Sequence, residues 1–254
     1  MKTDVAICQT DLDSCGDACA NLERLESVVA AAAGDVAVLP ELFATGFGRR
    51  PDSVAETMEG PVATAMKRWA RQYGKAVAGS VAVAVGGEFR NRMMFVDPSG
   101  RTTCYDKHHL FSPAGEQRWF ARGDSRTVVE YGGVRYLLAV CYDLRFPVWC
   151  RCRGDYDAII CSASWDGRRR DAWRLLLRAR AVENQCFVIG VNRCGCDGAA
   201  RYDGDSAVID FAGRTLTELG AGEGSAAATI DLAAMREFRE SFAVWRDADD
   251  FELK

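Results

Sequence analysis

Three widely separated segments carry residues able to do acyl-transfer chemistry. Cys141 follows the apolar run Val134–Val140 and opens the stretch Tyr142-Asp143-Leu144-Arg145-Phe146-Pro147. That change of character predicts a strand with a thiol at its tip and a helix beginning near Phe146-Pro147. In open α/β sheets the carboxyl ends of strands are where ligands bind. A strand-to-helix turn also offers N–H groups that stabilise a thiolate or an oxyanion. The alternative is a buried structural thiol, the commoner fate of any one cysteine. Glu41 comes directly after Val36-Ala37-Val38-Leu39-Pro40 and sits among Leu39, Leu42 and Phe43. An acid there is partly desolvated, a state suited to general-base work. A glutamate answering a helix dipole is the plainer alternative. Lys107, in Tyr105-Asp106-Lys107-His108-His109-Leu110-Phe111, ends the strand-like Arg101–Tyr105. Its ammonium either donates to a developing oxyanion or pairs with Asp106 at the surface. Glu116, in Ser112-Pro113-Ala114-Gly115-Glu116, lies in the loop just beyond and is a weak signal by itself.

The elements that must hold these groups alternate along the chain. Val5–Gln9, Val36–Leu39, Val77–Val85, Asn91–Val96, Val134–Val140, Ala158–Ser162, Phe187–Val191, Ser206–Phe211 and Ala226–Ile230 read as strands. The short, wholly apolar runs among them suit strands buried on both faces. Helices are predicted over Asp17–Ala33, Pro61–Tyr73, Arg168–Asn184 and Leu232–Phe242, from apolar residues at helical spacing and stops such as Gly34 and Gly74. Pro98-Ser99-Gly100 reads as a turn joining an antiparallel edge pair. Strands mixed with helices throughout, with no Pro/Gly/Ser-rich linker and no repeat, predict one α/β domain over residues 1–254 with helices covering sheet faces.

Composition narrows the function. The 254 residues carry a formal net charge of −4, against the clustered Lys and Arg that nucleic acid requires. No apolar run approaches the roughly 18–20 residues that span a bilayer. The start of the chain lacks a signal-peptide layout, so a cytoplasmic protein is expected. The eleven cysteines are an odd number in a long chain and read as reduced thiols used as small hydrophobes. Cys150-x-Cys152 and Cys194-x-Cys196 are spaced more tightly than zinc knuckles, and only His108 and His109 could add imidazole, so no metal is expected. No Gly-x-Ser-x-Gly elbow or Ser/His/Asp set competes.

Taken together, Leu39-Pro40-Glu41, the Tyr105–Phe111 segment and Cys141–Pro147 resemble the nitrilase superfamily, in the order Glu, Lys, Cys and over essentially the whole chain. Ser164-Trp165, Ala179-Arg180-Ala181-Val182-Glu183-Asn184, Val191-Asn192-Arg193 and Tyr202-x-Gly204-Asp205-Ser206 are similar to later family segments. Arg145-Phe146-Pro147 and Trp245-Arg246-Asp247-Ala248-Asp249 look like the omega-amidases that hydrolyse 2-oxoglutaramate and 2-oxosuccinamate. The resemblance implies a four-layer αββα sandwich of two mixed sheets packed face to face, and a homodimer. It implies Cys141 as nucleophile, Glu41 as base, Lys107 with the Tyr142 N–H at the oxyanion, and Glu116 positioning Lys107 and substrate. The reaction implied is amide hydrolysis through a thioester, with water as second substrate and no cofactor. An N-carbamoyl compound, a nitrile or deaminated glutathione is the alternative substrate. Arg145 either grips a substrate carboxylate or forms an ion pair holding the Cys141 turn. Phe43, Phe47, Phe111 and Trp165 are candidate pocket walls, although aromatics at such positions are more often core. The Arg168-Arg169-Arg170 run reads as a solvated helix start that could steer an anion.

Overall fold

Alternation along the strands decides the layers. In the computed structural model, which describes residues 2–12 and 18–253, Val5 and Ile7 belong to one apolar core and Ala6 and Cys8 to another. The same split separates Val36 and Val38 from Ala37, and Met93 and Phe95 from Met94 and Val96. Successive side chains of a strand point to opposite faces, so each strand serves two cores at once.

The first half of the chain contributes β1 (Lys2–Gln9), α1 (Ala18–Ala31), β2 (Val36–Val38), α2 (Pro51–Val54), α3 (Pro61–Tyr73), β3 (Ala76–Val85), β4 (Glu88–Val96) and β5 (Thr102–Asp106). The second half contributes β6 (Val128–Tyr131), β7 (Val134–Val140), α4 (Pro147–Cys150), β8 (Ala158–Ala163), α5 (Arg170–Asn184) and β9 (Phe187–Asn192). It ends with the hairpin β10 (Cys194–Asp197) and β11 (Ala200–Asp203), then β12 (Ala207–Ile209), β13 (Thr215–Glu218), β14 (Gly224–Asp231) and α6 (Leu232–Ser241).

Two six-stranded sheets result, ordered β14-β1-β2-β3-β4-β5 and β13-β12-β9-β8-β7-β6. Both are mixed. β1, β2 and β3 run parallel, as do β7, β8 and β9, and the outer pairs are antiparallel. One core lies between the sheets, where the Phe95 and Tyr136 rings stack at 5.9 Å. α1 and α3 cover the outer face of the first sheet through Leu25, Val29, Met66 and Trp69. α5 and α6 cover the second through Trp173, Leu177 and Met235. The fold is therefore the expected αββα sandwich of two mixed sheets face to face.

Local differences have local causes. The predicted Asp17–Ala33 helix is α1, with Asp17 outside the described residues. The expected helix start at Arg168 is a tight 3₁₀ turn, Gly167–Arg169, capped where the Asp166 side chain accepts from Arg168 N at 2.8 Å. Another 3₁₀ turn, Cys141–Arg145, intervenes before α4. β6, β13 and the β10–β11 hairpin lie outside the predicted strands, because these short strands are largely exposed and lack an apolar run. Among the described residues, no helix is long and apolar enough to cross a membrane.

Candidate active site

Glu41 reaches the site through a turn that the end of β2 cannot continue as strand. Leu42 adopts a left-handed φ of 47°, and its N–H donates to Ser80 Oγ at 2.9 Å. Gly79 makes room for the turn, since a Cβ there would lie 2.8 Å from the Phe43 ring. Phe43 thus packs onto β3 and, at 6.5 Å, against Trp69. It is wholly buried in the outer core and is absent from the cavity lining, contrary to the expectation of a pocket wall. Burying a ring of that size stabilises the turn by about 1.5–3 kcal/mol.

Cys141 follows β7 directly and has a φ of 46°, a conformation costing a non-glycine residue about 1–3 kcal/mol. Asp143 holds that strained turn. Its fully buried carboxylate accepts from Val140 N at 3.0 Å, Tyr105 Oη at 2.8 Å, and both N and Nδ1 of His109 at 2.9 Å. The Tyr105 phenol is pushed well up, first by burial and then by Asp143, so it remains a donor. His109 stacks on Phe146 and His108 on Trp149, each at 3.7 Å. This network ties the Cys141 turn to the segment that carries Lys107.

Lys107, just past β5, lies between two carboxylates. Its Nζ is 2.8 Å from Glu41 Oε1, and 3.1 and 2.9 Å from the two oxygens of Glu116. The three side chains are essentially unexposed. The surface pairing considered for Lys107 is absent, because Asp106 forms a two-pronged ion pair with Arg92 instead. Burial alone would push the Lys107 ammonium down. Glu116, Glu41 and Cys141 outweigh it and hold the group well above the usual lysine range. Asn91 Nδ2 bridges Glu41 and Glu116 at 2.8 and 3.1 Å. Ser164 N donates to the other Glu41 oxygen at 2.9 Å. Glu116 also accepts from the backbone N–H of Phe111.

The Cys141 thiol is pushed well up, first by burial and then by Glu41, with Lys107 and the Ser164 N–H pulling the other way. It therefore rests as a thiol, and reaction requires a base that takes its proton as the sulfur attacks. Glu41 is close enough for its charge to act on the sulfur.

Cys141 opens onto a cavity of about 260 Å³ walled by Phe47, Phe111, Tyr142, Trp165 and Tyr202, with Arg145 and Arg169 also lining it. Such a volume suits a small ligand. Lys107 Nζ lies 5.4 Å from the centre of the Phe47 ring. The Arg145 guanidinium sits 4.8 Å over Trp165, and no carboxylate among the described residues pairs with it. Asp143 has the turn-holding role considered for Arg145. Of the arginine run, Arg168 pairs with Asp166 and Arg170 with Asp205. The roles of Asp143, Ser164 and Asn91 carry no signal in the sequence. An amide on a strand carries no mark of the carboxylate it will face fifty residues away. Among the described residues, no cluster of three or more His, Cys, Asp or Glu is arranged to hold a metal.

The chain matches the carbon-nitrogen hydrolase family over residues 4–240. It is 41% identical over 240 residues to the omega-amidase YafV of Escherichia coli, covering 93% of each chain. It is 36% identical to a 2-oxoglutaramate amidase of Bacillus subtilis, covering 97% of this chain and 98% of that one. Its fold superposes on the CN-hydrolase superfamily protein XC1258 of Xanthomonas campestris with a TM-score of 0.95 at 37% identity, over 100% of both chains. The chain therefore belongs to the carbon-nitrogen hydrolase family, the nitrilase superfamily, as an amide-hydrolysing member.

Proposed function

We propose that the enzyme hydrolyses the omega-amide of a small 2-oxo dicarboxylic acid, such as 2-oxoglutaramate or 2-oxosuccinamate, through a thioester on Cys141. The observation that carries this is that Glu41, Lys107 and Cys141 come together from three strand ends, with Cys141 lining the cavity and the ion-paired Glu41 and Lys107 buried behind it. Cys141 Sγ attacks the amide carbon while Glu41 takes the thiol proton. The carbonyl oxygen gains the negative charge and is met by Lys107 and the Tyr142 N–H. Glu41 then protonates the nitrogen, the C–N bond breaks, and ammonia leaves a thioester behind. Water attacks that thioester with its proton passing to Glu41. The C–S bond breaks, the proton returns to sulfur, and the acid departs. Glu116 and Asn91 keep Lys107 and Glu41 in register. Arg145, resting on Trp165, offers a fork to a substrate carboxylate.

Likeness to the omega-amidase of Escherichia coli and the 2-oxoglutaramate amidase of Bacillus subtilis supports this substrate class. The test is ammonia release from 2-oxoglutaramate, ranked by kcat/KM against an N-carbamoyl compound, a nitrile and deaminated glutathione. Turnover should favour 2-oxoglutaramate and vanish in Cys141→Ala. Absence of both ammonia and an acyl-enzyme with every small amide would sink it. The exposed Leu175, Val182, Phe242 and Trp245, on and beside α5 and α6, support a homodimer, which light scattering would check.

A further inference from the structure

Three arginines follow one another at the start of α5, and the structure gives them different employment. Arg168 is held by both oxygens of Asp166, at 2.9 Å from Nε and 2.7 Å from Nη2. Arg170 is held by Asp205, with Nη2 at 2.8 Å, and Arg174 joins that carboxylate at 3.2 Å. Arg169 has no carboxylate within ion-pair distance among the described residues. Its guanidinium lies 5.1 Å over the Phe111 ring and lines the cavity.

The backbone places it there. The Asp166 cap starts the 3₁₀ turn, and Trp165 Nε1 donates to the Arg169 carbonyl at 2.8 Å. With Arg170 anchored on Asp205, little freedom remains at position 169. The same indole ring carries Arg145 on its face, so one tryptophan positions both unpaired guanidiniums. Phe111, beneath Arg169, meets Tyr142 edge-on at 5.0 Å. Aromatic faces orient a cation without neutralising it. Asp166 is the one carboxylate among the residues lining the cavity, and Arg168 occupies its oxygens. Two guanidiniums therefore share a small half-buried space with no carboxylate paired to either among the described residues, and an entering anion would relieve their mutual repulsion.

We infer that Arg169 is a specificity-determining residue: with Arg145 it clamps a carboxylate at the end of the substrate remote from the scissile amide. This rests on the proposal above that the cavity takes an amide, and narrows it to amides with a free carboxylate. Each guanidinium presents a planar fork suited to carboxylate geometry.

The decisive quantity is a ratio, kcat/KM for 2-oxoglutaramate over kcat/KM for its methyl ester, in the native enzyme, Arg169→Met and Arg169→Lys. Loss of one charge-assisted contact should lower the ratio about 10- to 100-fold in Arg169→Met, with the ester little affected. Arg169→Lys, which keeps the charge and loses the fork, should fall between. A ratio unchanged in both variants, or an equal loss on both compounds in the lysine variant, overturns the assignment while leaving the amidase intact. Calorimetric binding of 2-oxoglutarate to Cys141→Ala, with and without Arg169→Met, separates the two failures. If the native enzyme releases no ammonia yet binding weakens about 10-fold or more without Arg169, the carboxylate contact stands and the amidase reading falls. Binding that ignores Arg169 overturns the clamp.

Discussion

In the buried floor behind the cavity Lys107 sits between Glu41 and Glu116, which Asn91 bridges. At the cavity mouth, Arg145 and Arg169 rest on aromatic rings, and among the described residues no carboxylate forms an ion pair with either. The floor gives each of its charges a partner because desolvated charges are costly unless paired. The mouth is half-exposed, so water can hold its guanidiniums until an anion arrives. Chemistry and recognition are thus separated by how each region treats charge.

The largest expected effect lies on the floor. Lys107→Met leaves two carboxylates facing each other in the interior. Activity should fall by about 10³-fold or more, and stability by about 3–5 kcal/mol, measured by kcat and by urea unfolding. Native-like stability in this variant would break the contrast between the two regions. Next comes the hinge that links the Cys141 turn to the Lys107 segment. Asp143→Asn cannot accept all four of its donors, so the turn should shift and kcat fall about 10- to 100-fold with KM nearly constant. A change confined to KM would place Asp143 in recognition instead.

The interior also holds thiols whose burial outweighs the nearby cations, Lys75 for Cys8 and Arg180 and Arg126 for Cys150. Burial pushes Cys8 and Cys150 up to about 12 from the ordinary value of 9.0. Their protonated form is the one the fold accepts. The stability they contribute is full below about pH 9, where unfolded thiols are also protonated, and is lost as pH rises towards 12. The fall in unfolding free energy should steepen from about 0.7 kcal/mol per pH unit per thiol at pH 9 to about 1.2 between pH 10 and 11. Urea midpoints under reducing conditions would show it, and a flat profile would count against dry thiols in the core. The smallest effect belongs to the mouth. Raising salt from about 0.05 to 0.5 M shortens the screening length and should raise KM for an anionic amide a few-fold, leaving kcat at the sealed floor unchanged. A matching fall in kcat would show that the floor is not sealed.

Much of this site was legible in one dimension. Glu41, Lys107 and Cys141 each stand where an apolar or strand-like run stops abruptly, and such stops are local events. Pro61 and Gly74 bound α3 as their backbone preferences dictate. What local pattern could not supply was direction and partnership. Phe43 and Phe47 looked alike as pocket walls, yet the tight turn at Leu42 sends the first to Trp69 and leaves the second beside Lys107. Three adjacent arginines were one basic run until Asp166 and Asp205 claimed two of them.

By itself, then, the sequence determined which residues could react and which strands would carry them, because periodicity and chain-breaking residues act over a few neighbours. Only the tertiary structure decided that the strand ends meet, that Asn91 and Asp143 hold them, and that Arg169 has no ion-pair partner among the described residues. Those outcomes depend on contacts between residues far apart in the chain, such as Ser162 Oγ donating to the Leu39 carbonyl at 2.7 Å across the two sheets. No local rule encodes which carboxylate such packing will bring to which cation.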